Sequence, residues 1–315
     1  DLLLRALRTL RCSSSDVGDV EIVVTDNSEG PDTEEAVEQF FEGYAGAWKY
    51  HKNNFPQDMP GLEKMVGNFN MGVFLASGKY VFILHDDDYL LERSLERLLR
   101  ALRTMDAAYK IIVFGTKLVD LEGKELRVDH FADPGYYSQT ESLDQLLKSA
   151  SSLHSPGFIF SQQVYDTVGL WDVGGCPPAD YNMWVRAFSE FGVYVMPDVL
   201  SAFTIHPDSV TMTMFNIESV HAIMDDFEIV RKKNLLKVSR LEKLKSQFIH
   251  HFILAGVWKF IKKGARDEAR QVLDLSKLPE IQKLPISLKW LPVKMAFSVY
   301  LSLFHSRPAA VLVTR

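Results

Sequence analysis

The sequence predicts an α/β fold: a mainly parallel sheet with helices on both faces, followed by an α-helical C-terminal region. Three features carry that expectation. Strand-like and helix-like segments alternate through the first two-thirds of the 315 residues, the pattern of successive β–α units. Within them, residues 80–84 form an uncharged apolar run that reads as a parallel strand buried on both faces. Beyond residue 210 strand signals disappear and a helical pattern with interspersed Lys and Arg takes over. The expected division is residues 1–211 for the α/β unit and 212–315 for the helical region.

Leu2, Leu3, Ala6, Leu7 and Leu10 share one helical face, so the first element is a helix. Residues 21–24 read as a short strand ending at Thr25-Asp26-Asn27-Ser28, 33–41 as a helix and 48–51 as another strand. Residues 70–77 read as a helix stopped by Gly78, ahead of the central strand at 80–84. Leu91, Leu95, Leu98, Leu99, Leu102 and Met105 recur at helical spacing, and residues 111–114 give the next strand. Residues 217–275 are helical in pattern. The apolar run at 284–304 is broken by Lys289, Lys294, Pro285 and Pro292, so it does not suit a bilayer span. It can pack on the helical region, bind a partner, or lie in a membrane interface with its lysines outward.

Composition bounds the function. With 47% hydrophobic and 24% charged residues the chain is an ordinary globular one. A net charge of −6, with no basic stripe, gives no reason to expect a nucleic-acid partner. Cys12 and Cys176 are too few for a disulfide framework. A reducing, cytoplasmic location is the expectation, peripheral at most to the membrane face.

The chemistry concentrates where the run at 80–84 meets His85, Asp86, Asp87 and Asp88. Ligands of open α/β sheets bind beyond the carboxyl ends of the strands. Three adjacent carboxylates there repel one another unless a positive charge joins them, and Mg²⁺ or Mn²⁺ takes oxygen ligands of this kind. The alternative is a solvated acidic turn leading into the next helix.

Four segments occur in a telling order: VVTDNSEGPDT at 23–33, NFNMGVFLASGKYVFILHDDD at 68–88, VGLWD at 168–172 with ADYNMWVR at 179–186, and FTIHPDSVT at 203–211. As a set they resemble the family 2 glycosyltransferases of the GT-A, Rossmann-like fold, over about residues 1–211. That resemblance implies a nucleotide-sugar donor and a divalent ion, Mg²⁺ or Mn²⁺. It implies that Asp26 bonds the nucleotide base, typically uracil, that Asp86 or Asp87 faces the ribose, and that Asp88 ligates the metal. It places the catalytic base at Asp180 and a metal-proximal histidine at His206. Departures are visible: His85 stands where many members have Asp, Ala179 replaces the Glu before the base, and Thr204 replaces an Arg. The family's first strand has no counterpart, which makes a piece of a longer reading frame the expectation.

Each residue also has a plainer reading. Asp180 can cap a helix, Asp26 can close an Asx turn, and His206 can be structural. Trp171 and Trp184 can stack on a sugar or be core aromatics, while Arg186 can pair with a diphosphate or with a surface carboxylate. Asn70 and Gly72 read as helix and packing positions. The implied reaction is inverting transfer, with one base activating the acceptor hydroxyl and no covalent carboxylate intermediate. The acceptor class implied is a glycan or a lipid-linked oligosaccharide, selected by residues 129–155 and by the C-terminal helices. Two other functions compete: a nucleotide-sugar-binding or interaction module without catalysis, and a metal-dependent phosphohydrolase. The second is disfavoured because Tyr89-Leu90 follows the aspartates where a Thr or Val is wanted.

Overall fold

The computed structural model describes residues 2–11, 16–149, 152–173, 179–206 and 214–303. Cys12, Cys176 and the last part of the fourth segment, 207–211, lie outside them. Helix α1 (Leu2–Thr9) leads to strand β1 (Glu21–Asp26), which α2 (Asp32–Phe41) connects to β2 (Ala47–Lys52). The two strands pair in parallel, Glu21 opposite Ala47 through Asp26 opposite Lys52. Leu7, Ile22, Val24, Val37 and Phe41 form a small core beneath them. The helix expected at 70–77 is longer and starts earlier, as α3 (Gly61–Leu75), and packs on β1.

A second, seven-stranded sheet follows, built from β3 (Tyr80–Val81), β4 (Tyr89–Leu90), β5 (Ile111–Val119), β6 (Glu125–Asp129), β7 (Gly135–Tyr137), β8 (Phe158–Ser161) and β9 (Val193–Thr204). Its order is β3-β8-β5-β9-β4, with β6 on β5 and β7 on β9. Among the described residues β5 pairs in parallel with β9, and the other ladders of this sheet are antiparallel, so the sheet is mixed. Helices cover both faces, as expected. Ile111 and Val113 of β5 join the core of α5 (Gln139–Ser149), α6 (Gln162–Val168) and α7 (Ala179–Glu190). Ile112 and Phe114, on the other face, pack with Leu98 of α4 (Ser94–Thr104). Each such fully buried side chain contributes ~1.5–3 kcal/mol.

The run at 80–84 departs from its expected role. Only Tyr80 and Val81 join a ladder, antiparallel to β8, while Phe82, Ile83 and Leu84 are half-buried and unladdered. The central, doubly covered strand is β5.

Helices α8 (Ile217–Lys233), α9 (Val238–Lys262), α10 (Arg266–Asp274), α11 (Pro279–Gln282) and α12 (Leu291–Leu303) complete the chain. Asn216 caps α8 by accepting from the Ser219 backbone N–H at 2.8 Å. These helices share one core with the sheet region: Val185 and Phe188 of α7 belong to the same apolar cluster as Phe227, Ile249 and Ile253. Among the described residues no helix is long and apolar enough to cross a membrane.

Candidate active site

The acidic turn is pinned from two sides. The Asp88 backbone N–H donates to His85 O at 3.2 Å and closes the turn. Thr204, at the end of β9, donates its backbone N–H to Asp88 Oδ1 at 2.8 Å and its hydroxyl to Asp87 O at 2.5 Å. Arg5 of α1 donates to the same Asp87 O at 2.6 Å. The consequence is an Asp88 that is fully buried with one oxygen, Oδ2, lacking a hydrogen-bond partner. Burial pushes its carboxyl up to about 7, Asp87 and Asp86 add to the rise, and His85 and the Thr204 N–H oppose it.

His85 lies with Nδ1 3.7 Å from Asp88 Oδ2, its ring stacked on Phe69 and its Nε2 also without a partner. Asp87 Oδ2 meets His206 Nε2 at 2.9 Å. Asp86 is exposed. His85, Asp87 and Asp88 bring one donor atom each within 4.8 Å of one another. A buried carboxylate oxygen without a donor, beside an imidazole and a second carboxylate, is a donor set suited to a hard divalent ion. The residues present therefore fit Mg²⁺ or Mn²⁺, with His85 in the set and His206 held on Asp87.

Asp180 stands in the first turn of α7, and both of its oxygens accept bonds from outside that helix. Ser155 Oγ donates to Oδ2 at 2.6 Å and the Trp171 indole N–H to Oδ1 at 3.2 Å. Trp171 is buried and clamped in turn by Asn70 of α3, which accepts from its backbone N–H at 2.9 Å and donates to its carbonyl at 2.8 Å. Ser155 sits in a turn pressed against β5, where a Cβ on Gly157 would lie 2.6 Å from Thr116 Oγ1. Arg186 is spent on structure, donating to Asn182 Oδ1, Val168 O and Leu170 O. Trp184 is a core residue.

Asp26 closes β1. It accepts from the Ser28 backbone N–H, Tyr50 Oη and Lys52 Nζ, each at 2.7 Å, and from Ser28 Oγ at 3.0 Å. Burial works to raise its carboxyl, and the bonds from Lys52, Ser28 and Tyr50 outweigh that and hold it below the usual range.

One cavity of about 1120 Å³ joins these parts, lined by Asp26, His85, Asp86, Asp87, Ser155, Asp180 and His206 among others, with Asp88 lying behind its wall. The residues named from the sequence thus converge, except that Asp88 is reached only through its neighbours. Ser155, Thr204, Tyr50 and Lys52 were not foreseen. Ser155 and Thr204 carry no spacing signal, and Tyr50 and Lys52 are seen only through the β1–β2 register.

A family model described as Glycosyl transferase family 2 matches residues 1–169, more than half of the chain. The chain belongs to glycosyltransferase family 2. Asp180 and His206 lie beyond the segment of this family 2 chain that the model matches. An uncharacterised glycosyltransferase of Rickettsia prowazekii is 23% identical over 205 residues, 64% of this chain and 62% of that protein. A GalNAc(5)-diNAcBac-PP-undecaprenol β-1,3-glucosyltransferase of Campylobacter jejuni is 33% identical over 122 residues, 39% of this chain and 36% of that protein. The match thus spans under two-thirds of the length of these relatives. Among solved structures, Staphylococcus aureus TarS 1–349 in complex with UDP-GlcNAc shares the fold at TM-score 0.64 and 14% identity, covering 95% of this chain and 85% of that one.

Proposed function

We propose that this family 2 member is a metal-assisted, inverting glycosyltransferase. It moves a sugar from a nucleoside diphosphate sugar, a UDP-sugar, to a hydroxyl of a glycan or lipid-linked acceptor. The observation that carries the reading is one cavity with an oriented, doubly bonded carboxylate, Asp180, and the His85–Asp87 end of a cation-suited cluster on its walls. The UDP-GlcNAc bound by TarS and the undecaprenol-linked acceptor in the name of the Campylobacter relative support the donor and acceptor classes.

In this reading Asp180 takes the proton of the acceptor hydroxyl. Ser155 and Trp171 fix the carboxylate's orientation, and each oxygen keeps capacity for a further bond. A single base opposite the leaving group gives direct displacement with inversion, and no second carboxylate acts as nucleophile. Asp86 or Asp87 faces the ribose, and His206 steadies Asp87. Asp26 serves the base end, where Oδ1 accepts only the Ser28 N–H and has room for one more donor. Asp88, Asp87 and His85 would hold a divalent ion, which would supply Lewis-acid stabilisation of the departing diphosphate.

Asp180→Asn is expected to lower transfer by ~10²–10⁴-fold while leaving UDP binding unchanged. Transfer at near wild-type rate would remove Asp180 from the role of base. The reading also includes peripheral contact with a cytoplasmic membrane face through 284–304. Leu288, Met295, Val299 and Leu303 are exposed there, and Lys283, Lys289 and Lys294 accompany them without any acidic residue in 283–303. Co-sedimentation with vesicles containing anionic lipid, lost on Met295→Glu with Val299→Glu, checks it; equal pelleting of wild type and variant would count against it.

A further inference from the structure

A pair of cations lies just outside the cavity, on the Asp180 side, and the proposed chemistry leaves it without a role. Arg127 of β6 is 59% exposed and so within reach of a ligand. It grips Asp129 through Nε, at 3.0 and 3.1 Å from the two carboxylate oxygens, and through Nη2 at 2.9 Å. Among the described residues its Nη1 makes no hydrogen bond. Lys259, near the end of α9, holds its Nζ 5.2 Å from the centre of the Phe215 ring. The side chain is exposed overall, yet its ammonium is partly desolvated against that ring. Burial, with the charges of Lys263 and Arg127 close by, holds Lys259 below the ordinary lysine range.

The carboxylates beside Arg127 are already engaged. Strand alternation puts Glu125, Arg127 and Asp129 on one face of β6. Glu125 pairs with Lys117 at 2.9 Å, and Asp129 is shared between Arg127 and His154 Nε2, the latter at 2.8 Å. Lys259 makes no ion pair among the described residues. Cations in the last turn of a helix suit its dipole, which accounts for Lys262 and Lys263. The dipole does not account for a lysine laid on an aromatic ring toward an arginine of a separate strand. Two paths tie this pair to the site. The His154 ring stacks on Phe203, a cavity wall residue, at 5.0 Å, and the next residue, Ser155, donates to Asp180. Phe215, beneath Lys259, follows Met214, another wall residue.

We propose that Arg127 and Lys259 form an anion subsite beside the cavity that takes a phosphoryl group of the acceptor. This deepens the glycosyltransferase reading above and rests on it for the acceptor. Like charges brought together from separate elements repel until an anion joins them. A guanidinium edge beside an ammonium suits the several oxygens and the double charge of a phosphate. An acceptor anchored there is gripped apart from its reacting hydroxyl, which stays available to Asp180. A neutral acceptor of the same shape lacks that grip. The phosphate of a lipid-linked diphosphate and that of a phosphorylated glycan share this chemistry. Past Lys259, Lys262 lies over Trp258, and Trp258 stacks on Phe297 of α12. The subsite therefore adjoins the exposed apolar residues of 284–304, which suits the lipid source.

The test titrates the whole chain with farnesyl diphosphate, farnesol and sn-glycerol 3-phosphate, in EDTA and without nucleotide. Neither metal nor sugar transfer is read, so failure here is separate from failure of the proposed function. Farnesyl diphosphate is expected to bind ~10-fold or more tightly than farnesol, and Lys259→Gln and Arg127→Gln each to weaken it ~10-fold. Lys259→Arg should keep the affinity, and Lys243→Gln, which removes an exposed cation from the same helix, should leave it unchanged. Glycerol phosphate binding that weakens in the same two variants supports the subsite with a soluble phosphorylated acceptor. Binding of the diphosphate alone supports it with a lipid-linked one. Wild-type affinity in Lys259→Gln would overturn the proposal. So would equal binding of farnesol, an equal loss in Lys243→Gln, or no binding of either phosphate. Should Arg127→Gln unfold through its loss of Asp129, the Lys259→Gln and Lys259→Arg pair decides the matter.

Discussion

Asp26, at the end of β1, and Asp88, in the turn ahead of β4, are 7% and 0% exposed and stand in opposite chemical conditions. Asp26 has donors on both oxygens, including the Lys52 ammonium, and stays ionised below the usual range. Asp88 has one donor, a bare second oxygen and two acidic neighbours, and is pushed up to about 7. Burial alone therefore says little about a carboxylate's role; what decides is whether the fold has supplied its donors. Asp26 is complete as folded, whereas Asp88 keeps one oxygen without a hydrogen-bond partner, with the His85 ring 3.7 Å away.

The contrast can be broken most directly at Asp88. Without metal at pH 8, Asp88→Asn is expected to stabilise the chain by ~2–4 kcal/mol, because a charge is removed from a buried oxygen without a hydrogen-bond partner. With Mn²⁺ and UDP at a hundred times the dissociation constant, the wild type is expected to gain ~2.7 kcal/mol and the variant nothing. Denaturant unfolding with and without the pair reads both, and a destabilised variant at pH 8 would contradict the contrast.

The opposite sign belongs to Asp26. Asp26→Asn is expected to cost ~1–3 kcal/mol at pH 7, the worth of bonds to a charged acceptor. Its carboxyl is lowered from 3.8 on folding, so that stability is present above about pH 4 and lost as pH falls through the lowered value. The difference between wild type and variant should therefore close in acid.

Asp226 sharpens the comparison as a buried carboxylate outside the cavity wall. It accepts from Asn182 Nδ2 at 2.6 Å, and burial lifts it from 3.8 to about 7. The folded state keeps a proton that the unfolded chain releases, so stability falls as pH rises from about 4 to 7. Asp226→Asn is expected to flatten that slope and to stabilise by ~1–3 kcal/mol at pH 8, less than Asp88→Asn because Arg186 already offsets part of the charge. An unchanged slope would show that Asp226 is solvated.

Much of this was legible in the sequence. The β–α alternation, the acidic turn and the helical C-terminal region follow from composition and periodicity, Asp26 and Asp180 from the family resemblance, and the cavity gathers those two with Asp86 and Asp87. Residues 80–84 and 111–114 show where legibility stops. Both are apolar runs of similar length, yet β5 is laddered on both edges while residues 80–84 pair only through Tyr80 and Val81. A hydrophobic period reports which faces are buried and is blind to whether an edge has a neighbour.

By itself the sequence determined local geometry and chemical type: which stretches coil, which extend, and that three carboxylates follow an apolar run. Only the tertiary structure decided which of them are satisfied. Tyr50 and Lys52 reach Asp26 through strand register, Thr204 reaches Asp88 across 116 positions, and Ser155 and Trp171 reach Asp180 from separate elements. Hydrogen bonds and desolvation act over a few ångströms, and those distances exist only once the chain has packed.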